Sequence, residues 1–348
     1  MIYNIIMIAY RLSVPAPIET NPLGLEDLPL PQPGPGQVRI KISMCGVCHT
    51  DLHIAEGEIH PPHLPLTPGH QVVGTVDAFP LHQTTHHLKP LERGNLHLGQ
   101  RVGVPWLYST CGICEYCMRG KENLCPKARF TGFHVDGGFA EYMLANARDV
   151  LPIPAGLTDE QAAPLLCAGI VGYRSLRRAE ILPGEHVGLF GFGASGHLCI
   201  QVLDYWGCRV SVFTRAISHQ QHARKLGAAW AGSAGQDPAE LLDRAVIFAP
   251  SGALVVRALE CVKPGGTVAI NAIHMSDIPE FPYEKIYDER SVRSVANATY
   301  TDGEEFLALA MTAGIQSTVN LYSLNDANRA LQDMKASRIN GEAVLKIS

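Results

Sequence analysis

His186-Val187-Gly188-Leu189-Phe190 runs directly into Gly191-Phe192-Gly193-Ala194-Ser195-Gly196, and the helix-like run that follows reaches Trp206. A bare G-x-G-x-x-G carries little information. A short buried strand before it and a helix after it give the glycines a mechanism. They allow the tight turn and the close approach of a pyrophosphate, whose charge meets the N–H groups of the helix N-terminus. Gly191, Gly193 and Gly196 are therefore candidate cofactor-binding residues.

Outward from this junction the pattern alternates between strands and helices. Thr158-Asp159-Glu160-Gln161 offers a helix cap with an acid in the first turn, and strands are read at Arg209 to Phe213, Ala245 to Phe248, Thr267 to Asn271 and Ser291 to Ala296. That set suffices for a doubly wound α/β sheet. A dinucleotide fold that prefers NAD usually ends its second strand with an acid that accepts hydrogen bonds from the ribose hydroxyls. Here the strand ends Val212-Phe213-Thr214-Arg215, with no acid. Thr214 can bond a ribose without adding charge, and Arg215 can pair with a 2′-phosphate. NADP is favoured over NAD. The competing reading places Arg215 in solvent and leaves Thr214 to hold the ribose of NAD.

Before residue 158 the chemistry is that of metals. A strand-like run from Val38 to Met44 ends in Cys45-Gly46-Val47-Cys48-His49-Thr50-Asp51-Leu52-His53, which packs thiols, a hydroxyl, a carboxylate and two imidazoles into nine residues. A divalent zinc held by two thiolates and one neutral histidine is formally neutral, yet keeps an open position that can polarise an alcohol or carbonyl oxygen. Cys48 is the first candidate ligand, with His70 and Cys167 as its partners. Spacing alone does not select that set, because the three lie far apart in the chain. The strongest local signal is Cys111-Gly112-Ile113-Cys114-Glu115-Tyr116-Cys117 followed by Cys125, four thiols sufficient for a closed tetrahedral site in one loop. Arg119, Lys121, Lys127 and backbone N–H groups can offset its charge. With no open position, such a site is structural. The stretch from Asp77 to Gly99, with His82, His86, His87 and His97, shows no metal spacing and reads as a solvated loop.

Composition narrows the partners. The 348 residues, 46% hydrophobic, allow two compact units. A net charge of -5 with no basic block argues against nucleic acid. The apolar opening from Met1 to Ile8 lacks a basic flank and is too short to span a bilayer. Ten cysteines without a secretion signal are expected of a cytoplasmic protein.

With these motifs together the chain resembles the zinc-dependent medium-chain alcohol dehydrogenases along nearly its whole length. The resemblance implies a GroES-like β-rich catalytic domain, residues 1–157 and 298–348, with an inserted Rossmann domain, residues 158–297. It implies reversible hydride transfer between an alcohol, with a primary alcohol/aldehyde pair favoured, and NAD or NADP. Two zincs per chain are implied: a catalytic one on Cys48, His70 and Cys167, and a structural one on Cys111, Cys114, Cys117 and Cys125. Cys45, Cys199, Cys208 and Cys261 match no ligand and are read as core residues. Thr50 matches the start of the family's proton path, which continues through the cofactor ribose to His53. Asp51 matches the carboxylate that orients the ligand histidine, and His49 a cofactor phosphate contact. Trp106 matches an aromatic wall of the substrate pocket, although a core tryptophan reads the same. Relatives are commonly dimers or tetramers. Three positions depart from the pattern: Gln71 replaces a frequent glutamate, Glu342 stands where many relatives carry a cofactor-binding arginine, and the stretch 77–99 is longer than usual.

Three rivals share parts of this signature. A zinc-free quinone reductase lacks the seven ligands. A methyltransferase does not explain a three-ligand metal set. A zinc-stabilised dinucleotide-binding protein without catalysis requires Cys48, Thr50, His53, His70 and Cys167 to be decaying, and all are present.

Overall fold

The computed structural model describes residues 5–80 and 96–348. The histidines at 82, 86 and 87 lie outside the described residues. His97 is exposed, with Nδ1 3.0 Å from the Leu98 carbonyl.

Two compact units emerge, one formed by Met1–Cys167, Thr299–Leu307 and Val319–Ser348, the other by Ala168–Ala298 and Ala308–Thr318. In the first, a seven-stranded sheet runs in the order Val319–Ser323, Glu342–Lys346, Gln37–Val47, Gln71–Ala78, Arg101–Val104 and Leu151–Pro152, with Tyr142–Asn146 also paired to Gln37–Val47. The long strand Gln37–Val47 is its hub. Val38, Ile40 and Ile42 alternate as fully buried residues along it, the period-two pattern of a half-buried strand. Beyond Met44 the strand is buried on both faces, and its end delivers Cys48 to the start of a helix, His49–Glu56.

The second unit carries a parallel six-stranded sheet in the order Trp230–Gly232, Arg209–Phe213, His186–Phe190, Leu242–Ile247, Val262–Ile270 and Ser291–Ser294. That is the 3-2-1-4-5-6 order of a doubly wound dinucleotide-binding sheet. Every residue of His186–Phe190 is buried, as expected for a central parallel strand covered on both faces. Val255, Ala258 and Leu259 on the helix Ala253–Cys261 are spaced at i, i+3 and i+4 and pack into the same core as Phe190, Phe213 and Ile247. Among the elements not anticipated from the sequence are the helix Ile217–Lys225, of which only Ala223 is buried, and the three-residue strand Trp230–Gly232. Neither has an apolar periodicity long enough to announce it. The helix Tyr300–Thr312 starts just after Thr299, whose backbone N–H and hydroxyl both donate to Asp302 Oδ2.

Candidate functional site

Asp51 organises the neighbourhood of the first cysteine. Its carboxylate is fully buried and takes three donors: Oδ2 accepts from the Cys48 N–H at 2.9 Å, and Oδ1 accepts from the Gly69 N–H at 3.0 Å and lies 3.1 Å from Nδ1 of His70. One side chain thus anchors two chain segments that are 19 residues apart. The Nδ1 bond sets the tautomer, so that in the neutral ring Nε2 is the nitrogen that carries the lone pair. That Nε2 is buried and has no partner among the described residues.

Cys167 arrives from another direction. Pro164 closes the helix Asp159–Pro164, and a π-turn, Leu165–Gly169, follows before Ile170–Arg178. Such turns re-aim side chains and recur at functional sites. The helix opens with Thr158 Oγ1 accepting from Gln161 N–H at 3.3 Å, and Asp159 ties it to the sheet through Ser43 and Arg101. The ligand atoms of Cys48, His70 and Cys167 fall within 4.8 Å of one another. The Cys48 thiol is held well below the usual thiol range, by the Cys167 thiol first and His70 after it, against the opposing effect of burial. Burial alone would lower His70, but the Asp51 carboxylate and the Cys48 sulfur carry it up to about 10. Two sulfurs and an unpartnered imidazole nitrogen converging in a buried spot form a soft donor set that suits zinc.

Thr50 follows Cys48 by two residues, nearly buried, with its hydroxyl 3.8 Å from the Cys48 sulfur. His49 is exposed in the first turn of the same helix. His53, one turn on, hydrogen bonds through Nδ1 to the exposed Glu58, a partner the sequence reading missed. Trp106 meets His70 edge-on at 4.6 Å between ring centroids and stacks on Phe130 at 5.1 Å. It is at once a core residue and a neighbour of the donor set.

The four-cysteine loop forms a second cluster, with all four sulfurs within 4.8 Å of one another. Sulfur separations of 3.5 Å for Cys114–Cys117 and Cys111–Cys125, and 3.9 Å for Cys111–Cys117, are far too long for disulfides. They match the edges, about 3.8 Å, of a tetrahedron with zinc–sulfur bonds of about 2.3 Å. Backbone N–H groups of Cys114 and Lys127 point at the sulfurs of Cys111 and Cys125 at 3.4 Å each. Such backbone bonds, from Ile113 and Cys114, bring the Cys111 thiol down to about 6. Arg148, which the sequence reading overlooked, donates to the Thr110 carbonyl at 3.2 Å beside this loop.

At the glycine turn each glycine has a different reason to be there. Gly191 has φ +101°, and a Cβ on it would meet the Ala249 nitrogen at 2.9 Å. A Cβ on Gly196 would meet the Gly191 carbonyl at 3.0 Å, so its absence lets helix and strand pack. Around Gly193 nothing lies within 4 Å of that position, which leaves open space where a diphosphate can approach the helix N-terminus. Beneath the turn, buried His197 receives the Thr318 N–H at Nε2, and burial brings its pKa down to about 4. Thr214 follows the second strand with its N–H bonded to the Gly232 carbonyl. Arg215 is exposed and makes no ion pair among the described residues.

Gln71 and Glu342, read from the sequence as separate departures, meet: Gln71 Nε2 donates to Glu342 Oε1 at 2.5 Å. Burial, with the Cys48 sulfur adding to it, pushes the Glu342 carboxyl well above the usual carboxylate range.

Known proteins resemble this chain in sequence and fold. The family described as alcohol dehydrogenase GroES-like domain matches residues 34–155. A probable alcohol dehydrogenase AdhA of Mycobacterium tuberculosis is 42% identical, over 98% of this chain and 97% of its own length. Among solved structures, the alcohol dehydrogenase of the hyperthermophilic archaeon Aeropyrum pernix superposes with a TM-score of 0.84 at 29% identity, covering 97% of this chain and 99% of that one. Acetophenone reductase from Geotrichum candidum, solved in complex with NAD, gives a TM-score of 0.84 at 25% identity, with 98% of this chain and 97% of that one covered. By its full-length kinship, its fold and its donor sets, the chain belongs to the zinc-type medium-chain alcohol dehydrogenases, NAD(P)-dependent oxidoreductases.

Proposed function

We propose that this chain interconverts an alcohol and its carbonyl product at a zinc held by Cys48, His70 and Cys167, with a second, structural zinc on Cys111, Cys114, Cys117 and Cys125. The observation that carries the reading is the orphaned, buried Nε2 of His70 beside two sulfurs, a donor set with three ligands and no fourth grouped with them among the described residues. When bound, the zinc supplies Lewis acidity at the substrate oxygen and the nicotinamide exchanges the hydride. The protein's own residues do the rest. Asp51 fixes the orientation of His70 and the position of Cys48. Thr50, whose hydroxyl sits beside the Cys48 sulfur, relays the proton of the alcohol by accepting it as it releases its own toward His53, which, steadied by Glu58, hands a proton to solvent. Trp106, edge-on to His70, narrows the room for substituents on the reacting carbon, which supports a primary alcohol/aldehyde pair.

The cofactor binds through Gly191, Gly193 and Gly196, with His49 on a phosphate. NADP is the favoured form: no acid follows the second strand to repel a 2′-phosphate, and Arg215 is exposed and uncommitted. We place the protein in the cytoplasm as a dimer or tetramer. The thiol-rich donor sets suit a reducing compartment, and among the described residues no helix is long and apolar enough to cross a membrane. A screen of primary, secondary and aromatic alcohols with both cofactors, followed by nicotinamide absorbance, tests the reading. Turnover of primary alcohols with higher kcat/KM for NADP, reduced by Arg215→Ala, is expected. A higher kcat/KM for NAD that ignores Arg215→Ala would reject the cofactor assignment, and no turnover of any alcohol would reject the function.

A further inference from the structure

The strand Glu342–Lys346 lies antiparallel to the long strand that ends at Cys48. Its register pairs Ala343 with Val47 and Val344 with Gly46, so one further step sets Glu342 opposite Cys48. On the other side of the long strand, Gln71 is the partner of Gly46. A Cβ on Gly46 would meet Cβ, Cδ and Nε2 of Gln71 at 2.9 Å, so the missing side chain lets Gln71 fold across the strand to Glu342. Glu342 is 3% exposed, its Oε2 has no hydrogen-bond partner, and no Lys or Arg pairs with it among the described residues. A buried carboxyl group with one bare oxygen keeps an unspent ligand atom, and a cation at the neighbouring donor set is a partner it can serve.

We propose that Glu342 serves the three-ligand metal site as a carboxylate held in reserve: Gln71 restrains it through Oε1, and the bare Oε2 is offered to the cation held by Cys48, His70 and Cys167. The two departures read from the sequence then form one device, in which the acid missing after His70 is supplied by the last strand. Two thiolates and a divalent ion sum to zero charge, so the added carboxylate strengthens retention of the cation, as ligand-supporting carboxylates do elsewhere.

This inference rests on the reading of Cys48, His70 and Cys167 as a metal site, and cobalt(II) separates the two. Metal-free protein is titrated with cobalt(II), and the thiolate and ligand-field absorption bands are followed for wild type, Glu342→Gln and the double variant Gln71→Glu/Glu342→Gln. Wild type is expected to take up two equivalents. Glu342→Gln, nearly isosteric, should weaken the open site about 10–100-fold and leave the four-thiolate loop unchanged. The double variant, which returns an acid to the pair from the other side, should restore the affinity. Uptake of one equivalent by wild type would refute the underlying metal site itself. Two equivalents with an unchanged affinity in Glu342→Gln would refute the role of Glu342. A loss at both sites, or one the double variant fails to restore, would assign Glu342 to packing and overturn the proposal.

Discussion

The two thiol clusters hold similar atoms by opposite means. The loop cluster takes its four sulfurs from fifteen consecutive positions, 111 to 125, and steadies them with its own backbone N–H groups. The three-ligand cluster takes one donor from the end of a strand, one from the turn before another and one from a π-turn, and Asp51 binds the first two together. A closed local site can fold a loop and little else. A site spread over three elements is held by the whole unit, so it can tolerate the missing fourth ligand that chemistry requires.

Breaking each site in turn tests this contrast most strongly. Cys48→Ala should cut turnover by about three or more orders of magnitude, since Lewis acidity is worth several kcal/mol, with little change in Tm. Cys111→Ala should do the reverse: Tm falls by about 10 °C through loss of a structural metal worth several kcal/mol, while turnover per folded chain survives. A Cys111→Ala protein of normal Tm without turnover would erase the distinction.

Acid separates the two units by another route, one independent of metal. His197 in the second unit has its pKa lowered from 6.5 to about 4 by burial, with His222 adding to it. Between those values the unfolded chain binds a proton that the folded chain refuses. The stability is therefore complete above pH 6.5 and is lost as pH falls toward 4, by up to about 3 kcal/mol. Urea unfolding at a series of pH values, with the metals retained, should show this slope, and His197→Gln should flatten it.

Within the open site, chemistry and architecture can be told apart. Thr50→Ala should keep both metals by elemental analysis yet slow turnover by about two orders of magnitude, the scale of a lost acid–base group. Thr50→Ser should be mild. Asp51→Asn attacks the scaffold instead and should weaken metal retention at the open site about 10–100-fold in a chelator competition, with the loop unaffected.

The same contrast explains what the sequence made legible. The cysteine loop declares itself because its ligands are local and regularly spaced. The glycine turn is equally plain, since strand, turn and helix are contiguous. His70 and Cys167 could be joined to Cys48 only through family resemblance, because nothing in the chain signals the strand register that unites them. Gln71 and Glu342 stood as two unrelated departures, 271 residues apart, until the sheet laid them side by side. Glu58 was passed over because an exposed acid five residues after His53 looks like any solvated charge. The helix Ile217–Lys225 escaped for want of an apolar stripe.

The central claim is that one chain carries two zincs of unequal function, and timed chelation addresses it directly. Protein with its metals counted is incubated with a mild chelator while zinc release, turnover and circular dichroism are followed together. The account predicts two zincs per chain, with the first to leave abolishing turnover before any loss of structure. A single zinc, or both leaving together as the fold collapses, would contradict it.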